Sequence, residues 1–104
     1  MKINHFVNTE MFKLMELLKE AKYGYRVYVT EAVCGNFGII IGDFNAIWYI
    51  DITEYLIDTV SDTERHHSVG LSILTSMNGH EEYRDVNNAE EAMEIIKNFF
   101  AKTI

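Results

Sequence analysis

Met11, Leu14, Met15 and Leu18 recur at helical spacing, and Leu17 and Ala21 widen the stripe. That periodicity predicts a helix over residues 9–22. Asn8 or Thr9 can cap its start, and Glu10 favours the positive end of the helix dipole. Lys19 and Lys22 suit the other end, with Gly24 placed to stop it. From residue 25 the period falls to two. In YRVYVTEAVC (25–34), Tyr25, Val27 and Val29 fall on one face and Arg26, Tyr28 and Thr30 on the other. Gly35-Asn36 reads as a hairpin turn. FGIII (37–41) is apolar on both faces, as a central strand would be. Gly42-Asp43-Phe44-Asn45 turns the chain again, and AIWYIDI (46–52) sets Trp48, Ile50 and Ile52 against Ile47, Tyr49 and Asp51.

Residues 53–67 fit either a short helix or a continued strand. Thr53, Tyr55, Ile57 and Thr59 favour extended backbone, so a strand followed by a loop is expected. SVGLSILTSM (68–77) alternates as a strand, and Asn78-Gly79 is the strongest hairpin signal in the chain. It returns residues 80–86, HEEYRDV, as an edge strand whose charges discourage edge-to-edge pairing. The last helix opens at Asn88 with Glu91 three residues on, the spacing of a capping box, and Glu90, Glu91 and Glu94 crowd its N-terminal half. Ala92, Ile95, Ile96 and Phe99 form its stripe, flanked by Met93 and Phe100.

Neither helix can bury its stripe alone. The expected fold is therefore a two-layer α+β domain over residues 1–104: an antiparallel meander of four to five strands with the N- and C-terminal helices packed on one face. The other face would show Tyr28, Ile40, Ile47 and Tyr49. That is too apolar for water if contiguous, so a loop, a shifted register or a partner must account for it.

Composition narrows the functional classes. A 104-residue chain can bury a core without a metal or disulfide, and one cysteine, Cys34, allows no internal disulfide. Without a long apolar run or a signal segment, the chain reads as soluble and cytoplasmic. Its net charge of −7 is uneven: residues 1–42 carry +1 and residues 43–104 carry −8. Such a field repels nucleic acid and anionic membrane and attracts a cationic surface, although acidity also serves simple solubility.

No motif supplies enzyme chemistry. His5, His66, His67 and His80 show no metal-binding spacing, and His66 and His67 diverge on any regular backbone. Cys34 lacks a local base, so a half-buried structural role explains it. Phosphate-binding glycine loops are absent, and the aromatics are interleaved with acids rather than bases. Expectation therefore runs to no catalytic residues, no cofactor and no metal.

What remains is an acidic stretch. From Asp43 to Glu64 lie Asp43, Asp51, Glu54, Asp58, Asp62 and Glu64, with Tyr49 and Tyr55 among them and no lysine or arginine. A solvated strand and loop explains the pattern without function. Read functionally, spaced carboxylates with tyrosines imitate a phosphate backbone and fit an arginine- and lysine-rich groove. The expected activity is non-enzymatic: docking on a basic surface of a partner, such as a nucleic-acid-processing enzyme, and occluding it. Small acidic phage anti-restriction and anti-CRISPR proteins and toxin-immunity proteins share this size and charge, without any shared motif here. The alternative is a homodimeric structural or small-ligand-binding module built on the outer apolar face.

Overall fold

The computed structural model describes residues 9–29, 37–60 and 65–103; of residues 56–60, 65–69 and 103 it describes the backbone alone. The elements are α1 (Thr9–Glu20), β1 (Arg26–Val29), β2 (Phe37–Gly42), β3 (Trp48–Val60), β4 (Arg65–Met77), β5 (His80–Val86) and α2 (Ala89–Thr103). The strands form one antiparallel sheet in chain order, β1-β2-β3-β4-β5. This is the α+β meander with flanking helices that the alternation implies.

Both helices cover one face. Met11, Leu14 and Leu18 of α1 meet Ala89, Ala92, Met93 and Ile96 of α2 over Ile39, Ile41, Ile50, Ile52, Leu71 and Ile73 of the sheet. The α2 stripe is therefore rotated from the expected one: Ile95, Phe99 and Phe100 are only half-buried. A strand count of five leaves β1 and β5 running the same way, and the two helices follow. Glu10, in the first turn of α1, accepts from Ala89 N at the start of α2 at 3.0 Å. At the other end Tyr23, just past α1, stacks on Phe100 of α2 with ring centroids 4.9 Å apart. Two positive dipole ends thus share one carboxylate. The Ala89 amide and then Lys13, 3.2 Å away, hold the Glu10 carboxyl below its ordinary range.

The punctuation is partly as expected. Asn78 (φ 52°) and Gly79 (φ 81°) both take left-handed backbone, as a two-residue hairpin turn demands. Asn88 Oδ1 accepts from Glu91 N at 2.8 Å and caps α2; the Glu91 carboxylate accepts from Asn87 Nδ2 rather than closing a box. The end of α1 differs from expectation. Lys22, not Gly24, takes the left-handed position (φ 61°). Tyr23 N bonds Leu18 O at 3.0 Å and Lys22 N bonds Lys19 O at 3.1 Å, the paired bonds of a Schellman stop. The helix ends there because Tyr23 then reaches Phe100.

β3 and β4 outrun their neighbours. β2 pairs β3 only as far as Thr53, and β5 pairs β4 only as far as Leu71. The β3–β4 ladder continues to Val60↔Arg65. Among the described residues, its far part, residues 55–60 with 65–70, is a two-stranded ribbon of about 20 Å at six residues per strand. Residues 53–60 are thus strand, not helix. The turn expected at Gly35-Asn36 and Cys34 itself lie outside the described residues.

Candidate functional site

Pleating fixes which side chains share the uncovered face. In register across the sheet it carries Arg26 and Tyr28 of β1, Gly38 and Ile40 of β2, Tyr49, Asp51, Thr53 and Tyr55 of β3, Gly70, Ser72, Leu74 and Ser76 of β4, and Glu81, Tyr83 and Asp85 of β5. The expected gathering of Tyr28, Ile40 and Tyr49 is there. Ile47 lies just before β3, where its carbonyl accepts from Asn78 N at 2.7 Å, and its side chain is exposed.

One arrangement recurs on this face. A tyrosine leans over a small residue of the next strand and reaches a carboxylate one strand further. Tyr28 of β1 lies over Gly38 of β2, and its hydroxyl donates to Asp51 Oδ1 on β3. Tyr55 of β3 lies over Gly70 of β4 and hydrogen-bonds Asp85 on β5. Tyr49 of β3 passes Ser76 of β4 and donates to Glu81 Oε2 on β5 at 3.1 Å. The glycines are needed for space: a Cβ on Gly38 or Gly70 would drive into the tyrosine ring opposite. Aromatic rings laid over cross-strand glycines cover the backbone and pin the register.

The remaining polar groups are tied into the same surface. Ser72, 1% exposed, takes a hydrogen bond from the Tyr83 hydroxyl at 2.8 Å and shares another with Thr53 at 3.1 Å. Phe44 packs edge-on against Tyr49 (4.9 Å between centroids) and Tyr28 (6.3 Å). Phe44 and Tyr83 stay exposed, at 52% and 67%. Burial, and then the partner carboxylate, push the Tyr28 and Tyr49 hydroxyls above their ordinary range; at Tyr55, burial acts with the charge of Asp85. Asp51 is raised by burial, and the Tyr28 hydroxyl pulls it partly back. All three hydroxyls therefore remain protonated donors at neutral pH. Each carboxylate keeps lone pairs for a further donor.

The acidic stretch read from sequence is divided by this geometry. Tyr49, Asp51 and Tyr55 come together on the open face. Asp43 sits at its edge, occupied in a turn where its Oδ1 accepts from Asn45 N at 2.9 Å. Glu54 points the other way, among the helix-facing positions, and is 3% exposed. The Asp58 backbone pairs with His67 in the ribbon, and its side chain lies outside the described residues, as do Asp62 and Glu64. Glu81 and Asp85, which sequence reasoning assigned only to edge protection, supply two of the three carboxylates. Arg26 is the face's one cation among the described residues, and it donates to Gly42 O at 3.1 Å.

Among the described residues, no three His, Cys, Asp or Glu side chains gather as a metal would need. None of their helices is long and apolar enough to cross a membrane. No protein-family model, curated protein or solved structure matches the chain.

Proposed function

We propose that this protein is a non-enzymatic binding module that docks its open sheet face on a basic surface of another protein and occludes it. The observation that carries this reading is the threefold tyrosine–carboxylate arrangement, Tyr28–Asp51, Tyr49–Glu81 and Tyr55–Asp85. Its rings are already fixed by their hydrogen bonds, so little side-chain entropy is lost on contact. Its carboxylates, Asp51 on β3 and Glu81 and Asp85 on β5, share one face, and each can accept from an arginine or lysine side chain. Phe44 and Tyr83 add exposed aromatic area of the kind that anchors interfaces. The chain's charge of −7 would speed encounter with such a partner. A cleft that normally binds nucleic acid or an acidic substrate fits the chemistry.

A homodimer through the same face is less suited to it. A two-fold copy would pair this face with itself, so three carboxylates, Asp51, Glu81 and Asp85, would approach a surface that carries the same three and, among the described residues, one cation, Arg26, and like charges oppose such an interface.

The test is capture of partners from a lysate of the source organism by the immobilised full chain. The expected partner is retained at low salt, released at high salt, and lost with the Asp51→Asn/Glu81→Gln/Asp85→Asn triple variant. A Glu90→Gln/Glu94→Gln variant on α2 retains it. Equal capture by both variants would refute the face assignment. A dimer by sedimentation, with no salt-sensitive partner, would favour self-association instead.

A further inference from the structure

The helix-covered layer has a gap at its β5 edge. On that side β5 presents Glu82 and Arg84, opposite Thr75 and Ile73 of β4. Both charged side chains are exposed, so α2 cannot seat on β5 as it seats on the central strands. It leaves a cavity of about 120 Å³ whose floor is Ile73, Ile95 and Phe99 and whose rim holds Arg84, Lys102 and Glu82. This explains why Ile95 and Phe99 of the expected α2 stripe are only half-buried. Among the described residues, neither Arg84 nor Lys102 has an ion-pair partner, although Glu82 lines the same cavity.

We propose that this cavity binds a small carboxylate with an apolar body. The apolar end fits the Ile73–Ile95–Phe99 floor, and the carboxylate lies between Arg84 and Lys102. Cavities of about this size accept a benzene-sized group, which sets the body at roughly five to seven carbons. Lys102 also faces the negative end of α2, which cancels part of its field, so Arg84 is the principal anchor. The guanidinium suits this role because its fork of donors matches a carboxylate. Glu82 adds a discriminating feature. It opposes a second negative charge on the ligand and accepts an ammonium, so the carboxylate comes either from a simple fatty or aryl acid or from an apolar amino acid. The site is separate from the open sheet face and does not rest on the docking reading.

Amide chemical-shift titration of the full-length chain tests it, with hexanoate, leucine, hexylamine and hexan-1-ol as probes. Hexanoate shifts the amides of Ile73, Thr75, Ile95 and Phe99 saturably, with Kd on the order of 1 mM for so small a ligand. Arg84→Gln weakens it about tenfold, the value of one lost charge-assisted contact. Asn98→Trp, at an exposed position on the lip, closes the cavity and abolishes the shifts. Hexylamine binds at least about tenfold more weakly than hexanoate, because Arg84 and Lys102 together outweigh Glu82, and equal binding would overturn the carboxylate assignment. Leucine binding more tightly than hexanoate identifies the amino acid as the source, and weaker binding identifies the simple acid. The ligand-free spectra of both variants report whether they are folded, and Lys102→Gln, expected to weaken hexanoate less, is the second variant. The proposal is overturned if neither acid gives saturable shifts at these amides, if hexanol binds as well as hexanoate, or if folded Arg84→Gln binds unchanged.

Discussion

Replacing Tyr28 by phenylalanine isolates the chemistry of the open face. The ring would still cover Gly38 and meet Phe44, so packing is retained and only the hydroxyl is lost. A hydrogen bond to a charged group contributes about 1.5–3 kcal/mol when dry. Tyr28 and Asp51 are both half-buried, and water can replace part of the lost bond. The expected cost at pH 7 is therefore about 1 kcal/mol, or about 4 °C in Tm for a domain of this size. Its pH dependence carries the sharper information. Burial raises the Asp51 carboxyl, and the Tyr28 hydroxyl restrains that rise. An acid whose folded pKa lies above its unfolded value holds protons that the unfolded chain has released. Its effect is to lower stability as pH rises from the unfolded pKa through the folded one. Removing the hydroxyl raises Asp51 further, so the Tyr28→Phe penalty is larger at pH 7 than near pH 3, where the carboxyl is protonated in both states. Urea unfolding of the wild type, Tyr28→Phe, Asp51→Asn and the double variant at both pH values closes a double-mutant cycle. The penalty should shrink by about half in the Asp51→Asn background, where no charge is left to stabilise. An equal penalty in both backgrounds and at both pH values would show that the hydroxyl does not support a charged Asp51.

Three further predictions concern the frame around the site. Gly38→Ala forces a methyl into the Tyr28 ring, and the ring's displacement should cost about 1–3 kcal/mol, read from the urea midpoint. Lys22→Gly should stabilise by about 0.5–1 kcal/mol in thermal unfolding, because glycine takes the left-handed position without steric cost. Glu10→Gln should destabilise at neutral pH and narrow its difference from wild type as the medium is acidified. Glu10 has a lowered folded pKa, so its contribution is present above the ordinary carboxylate range and lost as pH falls through the folded value. Parallel urea titrations at several pH values check this, and a difference constant down to about pH 3 would remove Glu10 from its bridging role.

The alternation of Trp48, Ile50 and Ile52 against Tyr49 and Asp51 was sufficient to place the core face of β3, because period two maps directly onto the two sides of a sheet. Asn78-Gly79 and Asn88 were equally legible, since each local backbone geometry favours few residue types. The acidic stretch misled for a related reason. Asp51 and Glu54 are three apart, an odd spacing, and a strand sends them to opposite sides, whereas a sequence read for charge density counts them together. Glu81 and Asp85 escaped because their tyrosines lie two strands away, across β4, and no window along the chain brings Tyr49 near Glu81. Only the hairpin register combined with the small residues Gly70 and Ser76 could have exposed the link. The end of α1 depended on a tertiary contact, Tyr23 on Phe100, which overrode the preference for glycine.

The side-by-side helices restrict how this architecture can change in length. Adding or deleting one strand of the meander would reverse the chain's direction on arrival at α2. Carbonyls would then lie where Ala89 now offers an amide to Glu10, and acceptor would face acceptor. Lineages that lengthen or shorten the sheet must therefore do so by whole hairpins, two strands at a time, or else abandon the joint at the helix starts.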